Sequence, residues 1–390
     1  MAEKKPAVAF IGTGIMGAPI AGHIMDAGYP LTIFTRTRNE RAEALIERGA
    51  VWADTPADAA READIVFTML GYPTDVEEVY LSSDGLLAAA KRGATLIDLT
   101  TSSPELARDI AEAAEVSGLY AFDCPVTGGE RGAIDGTLTL IVGATERDIE
   151  PIRSLLETFG KHIFCFGGPG AGQTAKLSNQ VALAGCLTGM ADALSLAQQS
   201  GLDLARVREL IVSGTGRSGV METLAPAALD GDYRPGFKVT HFLKDLGLAL
   251  QLAEDREIVL PGAETAFGLY DVLDTIGGGE MGTQALTLMY QEEADAVAAG
   301  LDWSQYTMSE DSEGCGCGHD HEHAHEHGEG CCHGHDGSHD HEHGEGCCHG
   351  HDGSHDHEHE HGESCCHTHG EGHTHEHGEG CCHKHEGAEA

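Results

Sequence analysis

Basic residues are scarce in this chain. Its 390 residues hold 23 Lys and Arg against 64 Asp and Glu, a formal charge of −41. So acidic a surface repels phosphate backbones and anionic lipid, so nucleic acid and membrane are not expected partners; a small molecule admitted through a local basic site is. Long hydrophobic runs are missing as well. No 18 consecutive apolar residues occur, and no membrane-spanning segment is expected. Met1–Pro6 runs straight into a strand-like Ala7–Ile11 without the apolar stretch or small-residue site of a signal peptide. Before residue 309 there are only three cysteines, Cys124, Cys165 and Cys186, which suggests reduced, buried thiols and a cytoplasmic address.

What is present falls into two compositions. Residues 1–308 are rich in Ala, Leu and Gly with strong periodicity, whereas from Ser309 the chain is His, Glu, Asp, Gly and Cys with almost no aliphatic side chain. The later stretch holds 21 of the 64 acidic residues and one of the 23 basic ones, so each part carries about half of the negative charge. The expected organisation is a nucleotide-binding domain at 1–166, an all-α substrate and oligomerisation domain at 167–300, and a disordered repeat tail at 309–390.

Ala7–Ile11 is β-rich, Gly12-Thr13-Gly14-Ile15-Met16-Gly17 follows at once, and Ala18–Ala27 continues with helical spacing. Strand, glycine turn and helix in this order form a dinucleotide fingerprint, with a pyrophosphate seated on free helix N–H groups. The next strand, Leu31–Phe34, ends in Thr35-Arg36-Thr37-Arg38, where an NAD site usually places an acid. Arginine instead suits a 2′-phosphate, so NADP(H) is expected over NAD(H), with Arg36 the main contact. Strands at 64–70 and 94–98 alternate with helical stretches at 56–62, 74–90 and 104–117, giving an α/β, Rossmann-type doubly wound sheet. Loops leave the carboxyl ends of these strands at Met69-Leu70-Gly71 and Thr100–Pro104, where ligands of such sheets bind. Asp123-Cys-Pro-Val-Thr127-Gly128-Gly129 then offers a hydroxyl and consecutive glycine amides, an anion cradle suited to a carboxylate. Thr137–Val142 and Lys161–Phe166 read as closing strands, with a helix from Glu146 to Phe159 between them.

The stretch Gly170-Ala-Gly-Gln173-Thr-Ala-Lys176-Leu-Ser-Asn179-Gln180 opens a long apolar helix, and helical spacing groups Gln173, Lys176, Asn179 and Gln180 on one face. A buried ammonium is costly unless paired or lowered in pKa, and a lowered pKa suits a proton donor or acceptor. Helices are expected at 172–200, 203–213, 239–255, 261–275 and 280–297. His23, His162 and His241 read as structural.

Taken together, Gly12–Gly17, Thr100–Pro104, Asp123–Gly129, Gly170–Gln180 and Tyr233–Phe237 leading to Lys244-Asp245 resemble the β-hydroxyacid dehydrogenase family over about residues 6–295. That family includes 3-hydroxyisobutyrate dehydrogenase, tartronate semialdehyde reductase and the glyoxylate/succinic semialdehyde reductases. The resemblance implies a catalytic lysine at Lys176 and a substrate-carboxylate motif at Thr127, Gly128 and Gly129, with Thr where serine is usual. It further implies neighbouring amides at Asn179 and Gln180, a nicotinamide-side Thr101, a cofactor-side Lys244, and a homodimer or homotetramer. Its subfamily markers diverge. Asn179-Gln180 looks like the tartronate semialdehyde reductases, whereas Thr35-Arg36-Thr37 looks like the NADPH-using glyoxylate reductases. The expected activity is hydride transfer between a nicotinamide and a small 3-hydroxy acid or short aldehyde or keto acid, Lys176 acting as general acid/base.

Residues 309–390 hold 23 of the 26 histidines and ten of the 13 cysteines. A repeat ending in Cys-Cys-His-x-His supplies Cys331, Cys332, His333 and His335; Cys347, Cys348, His349 and His351; Cys365, Cys366, His367 and His369; and Cys381, Cys382, His383 and His385. Thiolate and imidazole donors suit Zn²⁺, Ni²⁺ or Cu(I), so metal binding is expected here and is not required for hydride transfer. The competing expectation is a metal storage or buffering protein that uses a dehydrogenase body as scaffold.

Overall fold

The computed structural model describes residues 5–306. The repeat tail, its expected disorder and all sixteen of its expected metal ligands lie outside the described residues.

A six-stranded, wholly parallel sheet in the order β3-β2-β1-β4-β5-β6 forms the first half. Its strands are β1 (Val8–Ile11), β2 (Leu31–Phe34), β3 (Val51–Trp52), β4 (Ile65–Thr68), β5 (Thr95–Asp98) and β6 (Tyr120–Asp123). Helices α1 (Gly17–Asp26), α2 (Glu40–Glu47), α3 (Pro56–Ala60), α4 (Pro73–Leu81), α5 (Leu86–Ala89) and α6 (Pro104–Val116) connect them. Side chains alternate across the sheet. Val8 and Phe10 join one core with Ile20, Ile24, Ala42 and Leu45, while Ala9 and Ile11 join the other with Val76, Tyr80 and Ile110. Helices thus cover both faces, which is why these strands read as continuous apolar runs. The strand order reverses between β1 and β4, the place where doubly wound sheets bind their ligands.

The expected closing strands do not extend this sheet. β7 (Val126–Thr127), β8 (Leu138–Val142) and β9 (Gly160–Cys165) form a second sheet, antiparallel at β7/β8 and parallel at β8/β9. Helix α7 (Gly129–Asp135) links β7 to β8. The helix expected over 146–159 is broken into α8 (Glu146–Ile149), a 3-10 turn at Glu150–Ile152 and α9 (Arg153–Leu156), because Pro151 lacks an amide donor. Similarly, the 74–90 stretch divides into α4 and α5 at Ser82–Gly85.

From α10 (Ala171–Gln199) onward the described chain is helical: α11 (Leu204–Ser213), α12 (Gly219–Thr223), α13 (Ala225–Leu229), α14 (Val239–Asp255), α15 (Pro261–Leu273) and α16 (Glu293–Ala298). The single helix expected at 280–297 is instead a 3-10 segment, Thr283–Tyr290, followed by α16. Leu187, Met190 and Leu194 of α10 pack with Phe242 and Leu246 of α14 and with Tyr270 of α15. The Phe242 and Tyr270 rings meet edge to face at 5.0 Å. By length and composition alone α10 is apolar enough to cross a membrane, because an average over the helix absorbs Thr188, Asp192 and Ser195, which interrupt its apolar run. Gln173, Lys176 and Gln180 are nevertheless buried along it, as in the core helix of a folded domain.

Candidate active site

Gly12 leaves β1 at the reversal point with φ +97°, and a Cβ there would lie 2.1 Å from the Met69 carbonyl oxygen, so only glycine lets the two loops meet. Met69 N donates to Ile11 O at 2.9 Å, fixing the loop after β4 beside the loop after β1. Among the described residues nothing lies within 4 Å of where a Gly14 Cβ would stand, and the first turn of α1 has neither an acidic residue nor a side-chain cap. Thr13 is fully buried, and its hydroxyl has no hydrogen-bond partner among the described residues. These features fit a pyrophosphate, whose oxygens would take the free amides of Gly14–Gly17.

At the end of β2, Arg36 is exposed and ion-pairs with Asp75 in the first turn of α4. Asp75 also accepts from Tyr72 N at 3.2 Å. Arg38 is occupied elsewhere, bound to Glu43 and lying over the Trp52 ring at 5.2 Å. Of the two arginines, Arg36 alone reaches toward the loop after β4.

Three polar side chains stand in register at the ends of β4, β5 and β6: Thr68, Asp98 and Asp123. Asp98 accepts from Thr68 Oγ1 at 2.7 Å and from Thr100 N at 3.0 Å. Burial pushes its carboxyl up to about 6; the Thr100 and Thr68 hydrogen bonds oppose the rise and the Asp123 charge adds to it. Asp123 turns toward α10, accepting from Gly170 N at 2.7 Å and Gln173 N at 2.6 Å. The helix has no side-chain cap of its own, so a strand-end carboxylate satisfies its first amides. Here too burial raises the carboxyl, and the amide donors oppose it.

Lys176 lies one turn further along α10, 6 % exposed, and makes no hydrogen bond or ion pair with the described residues. Its pKa is lowered to about 8, chiefly by burial, with Asp245 raising it and Lys244 lowering it further. Gln180 Nε2 donates to Asp245 Oδ2 at 2.7 Å, and Asn179 Nδ2 donates to Gln180 Oε1 at 3.0 Å. Asp245 Oδ1 lies 2.9 Å from Lys244 Nζ, an ion pair whose angle makes no hydrogen bond, and Lys244 donates to Thr101 O. Asn179, Gln180, Asp245, Lys244 and Thr101 thus form one polar chain across α10, α14 and the loop after β5. Asn179 is not on the buried face with its expected neighbours. At ~100° per residue it sits beyond Lys176 on the helix surface and is exposed.

Thr127 ends β7 half-buried, and Gly128 (φ +129°) and Gly129 (φ +63°) turn the chain into α7. No hydrogen bond among the described residues joins Thr127–Gly129 to Lys176. Opposite the cofactor loop, Tyr72 meets His241 of α14 edge to face at 5.7 Å. The remaining expected histidines differ: His23 bonds the Ala133 and Ile134 carbonyls from α1, while His162 lies exposed on β9. Among the described residues no three His, Cys, Asp or Glu side chains are placed to hold a metal.

Sequence reasoning gave no role to Asp245 or Gln173. Asp245 could have been marked as an acid inside an apolar helix directly after the expected lysine. Gln173 carries no such signal, because its partners lie 71 and 73 residues away. The three buried side-chain oxygens without hydrogen bonds among the described residues are those of Thr13, Ser102 and Asp245, and all three belong to these loops and helices.

Residues 7–167 match the family model described as the NAD binding domain of 6-phosphogluconate dehydrogenase, and residues 170–290 match the one described as NAD-binding of NADP-dependent 3-hydroxyisobutyrate dehydrogenase. The chain is 44% identical to the Bacillus subtilis protein named "Uncharacterized oxidoreductase YkwC", over 72% of this chain and 98% of that one. It is 36% identical to the Escherichia coli 2-hydroxy-3-oxopropionate reductase, over 71% of this chain and 94% of that one. The solved Mycobacterium tuberculosis 3-hydroxyisobutyrate dehydrogenase with L-serine superposes with a TM-score of 0.68 at 30% identity, covering 74% of this chain and 99% of that chain.

Proposed function

We propose that this chain, which belongs to the β-hydroxyacid dehydrogenase family, reduces a short aldehyde or keto acid with NADPH, using Lys176 as the proton donor. That it is a nicotinamide-dependent oxidoreductase of this family follows from the two matched domains and the relatives. The proton-donor role is carried by one observation, a buried lysine with no hydrogen bond or ion pair among the described residues and a pKa lowered to about 8, while the NADPH preference rests on Arg36 at the end of β2.

A nicotinamide cofactor held by the Gly12–Gly17 loop would supply a hydride to the carbonyl carbon. Lys176 as ammonium hydrogen-bonds the carbonyl oxygen, stabilises the charge that develops there and gives up its proton to form the hydroxyl. In the reverse direction the neutral amine takes that proton. Thr127 with the Gly128 and Gly129 amides would hold the substrate carboxylate, and Asn179 and Gln180 would orient the substrate beside Lys176. Arg36, which pairs with Asp75 here, would pair with the 2′-phosphate. The test is oxidation of NADPH and of NADH with glyoxylate, succinic semialdehyde, tartronate semialdehyde and methylmalonate semialdehyde. Turnover of none of them would remove this reading.

A second role is favoured by the fourfold Cys-Cys-His-x-His repeat, which offers thiolate and imidazole ligands in one short unit. The tail would bind Zn²⁺, Ni²⁺ or Cu(I) for storage or buffering, without entering hydride transfer. Metal analysis of the full chain and of a version ending at Ser309, both under reducing conditions, decides it. Equal retention by the two would refute it.

A further inference from the structure

Gln173 is fully buried on the first turns of α10, and its carboxamide is used at both ends. Oε1 accepts from Ser102 N at 2.9 Å, and Nε2 donates to Thr100 O at 2.7 Å. These two peptide groups flank Thr101, so one side chain pins the loop on either side of the residue expected to meet the nicotinamide. The remaining contacts of the loop come from other elements. Thr100 N bonds Asp98, Thr100 Oγ1 accepts from Leu70 N at 2.9 Å, and Thr101 O accepts from Lys244. Gln173 is itself held from below, its own amide bound to Asp123 of β6. Lys176 follows three residues later on the same rigid helix, on the same buried face.

We propose that Gln173 is a positioning residue that holds the Thr100–Ser102 loop in register with Lys176, so that the proton donor and the nicotinamide-facing loop are set by a single helical turn. The proposal rests on the reductase reading above. A group at this place must donate and accept at once. A carboxamide does both, and so does a protonated carboxyl group, whereas a carboxylate would face the Thr100 carbonyl oxygen with no proton between them.

That difference supplies the test. The charged groups on the elements around position 173 are Asp123 on β6, which bonds its amide, Asp98 on β5, Arg108 on α6, which lies against Gly170, Lys176 on the same helix and Lys244 on α14, which bonds Thr101 O. Burial and the two acids favour the protonated form of a glutamic acid placed here, against the pull of Lys176, Lys244 and Arg108 toward the carboxylate. In Gln173→Glu, kcat/KM relative to the unaltered enzyme should fall by ~10²-fold at pH 8.5, the scale of a misplacement near the chemistry, and recover as the pH is lowered toward 6. Gln173→Ala should be slow at every pH. A Gln173→Glu ratio that stays constant with pH would overturn the proposal. Hydrogen exchange of the 99–104 peptide gives a readout that needs no turnover. Exchange should quicken in Gln173→Ala while the peptides of β1 and β4 keep their protection; unchanged exchange at 99–104 would also overturn the proposal. If the unaltered enzyme turned over no substrate, the reductase reading would fail and the exchange measurement would still decide the clamp.

Discussion

Gln180 of α10 and Asp245 of α14 share a 2.7 Å hydrogen bond between residues that lie 65 apart in sequence. Both are buried, and the same carboxylate pairs with Lys244 and raises the pKa of Lys176 against the effect of burial. Replacing Asp245 with Asn keeps an acceptor for Gln180 and removes the charge. The alkaline limb of the reduction profile should then move below the position it has in the unaltered enzyme. A limb that stays in place would show that Asp245 does not set the charge state of Lys176.

With Lys176 as the proposed proton donor, a pH dependence is expected. Reduction needs the ammonium, so kcat/KM should hold below about 8 and decline above it. Oxidation of the hydroxy acid needs the amine and should rise through the same range. Profiles in both directions that fail to mirror each other around that value would assign the titration to another group.

Lys176→Ala should lower kcat by ~10²-fold or more, the lower bound for general acid–base catalysis, with cofactor binding retained. Cofactor titration by fluorescence separates this from misfolding. Near-normal turnover with cofactor bound would exclude Lys176 as the proton donor.

Arg36→Asp should shift the ratio of kcat/KM for NADPH over NADH toward NADH by ~10-fold or more, since a charge-assisted hydrogen bond contributes about 1.5–3 kcal/mol. An unchanged ratio would place phosphate recognition elsewhere.

Asp98 bears on stability. Its folded pKa, raised to about 6, lies above the unfolded value, so the native state binds the extra proton and stability falls as the pH rises from about 4 to about 6. Asp98→Asn removes this dependence. By urea unfolding it should gain on the unaltered protein across that window by on the order of 3 kcal/mol, at ~1.4 kcal/mol per unit, with no further change above it. Parallel curves for the two proteins would contradict the assignment.

The elements written in local pattern are the ones the sequence makes legible. The β1–glycine loop–α1 unit, the parallel sheet, Val239–Asp255 as a helix and a buried Lys176 each follow from neighbours within a turn or a strand. What escapes is set by distance or by brevity. β3 has two residues, too few for a periodic signal. The separate β7-β8-β9 sheet is a matter of pairing partners, which apolar alternation does not name. Asn179 fell off the buried face because a helix groups residues by angle as well as by spacing. Arg36 was marked by its chemistry, yet its Asp75 partner, 39 residues on, was not. The tail, so distinctive in composition, lies outside the described residues.

Asp123 joins the end of β6 to the first amides of α10, and Gly172 leaves no space between them: a Cβ there would lie 2.7 Å from the carboxylate and 2.5 Å from Ile141 O. In chain order α10 opens the helical half. Mechanically, its first turn belongs to the sheet. The turn that carries Gln173 and leads to Lys176 is thereby tied to the strand ends, on the sheet's side of the chain.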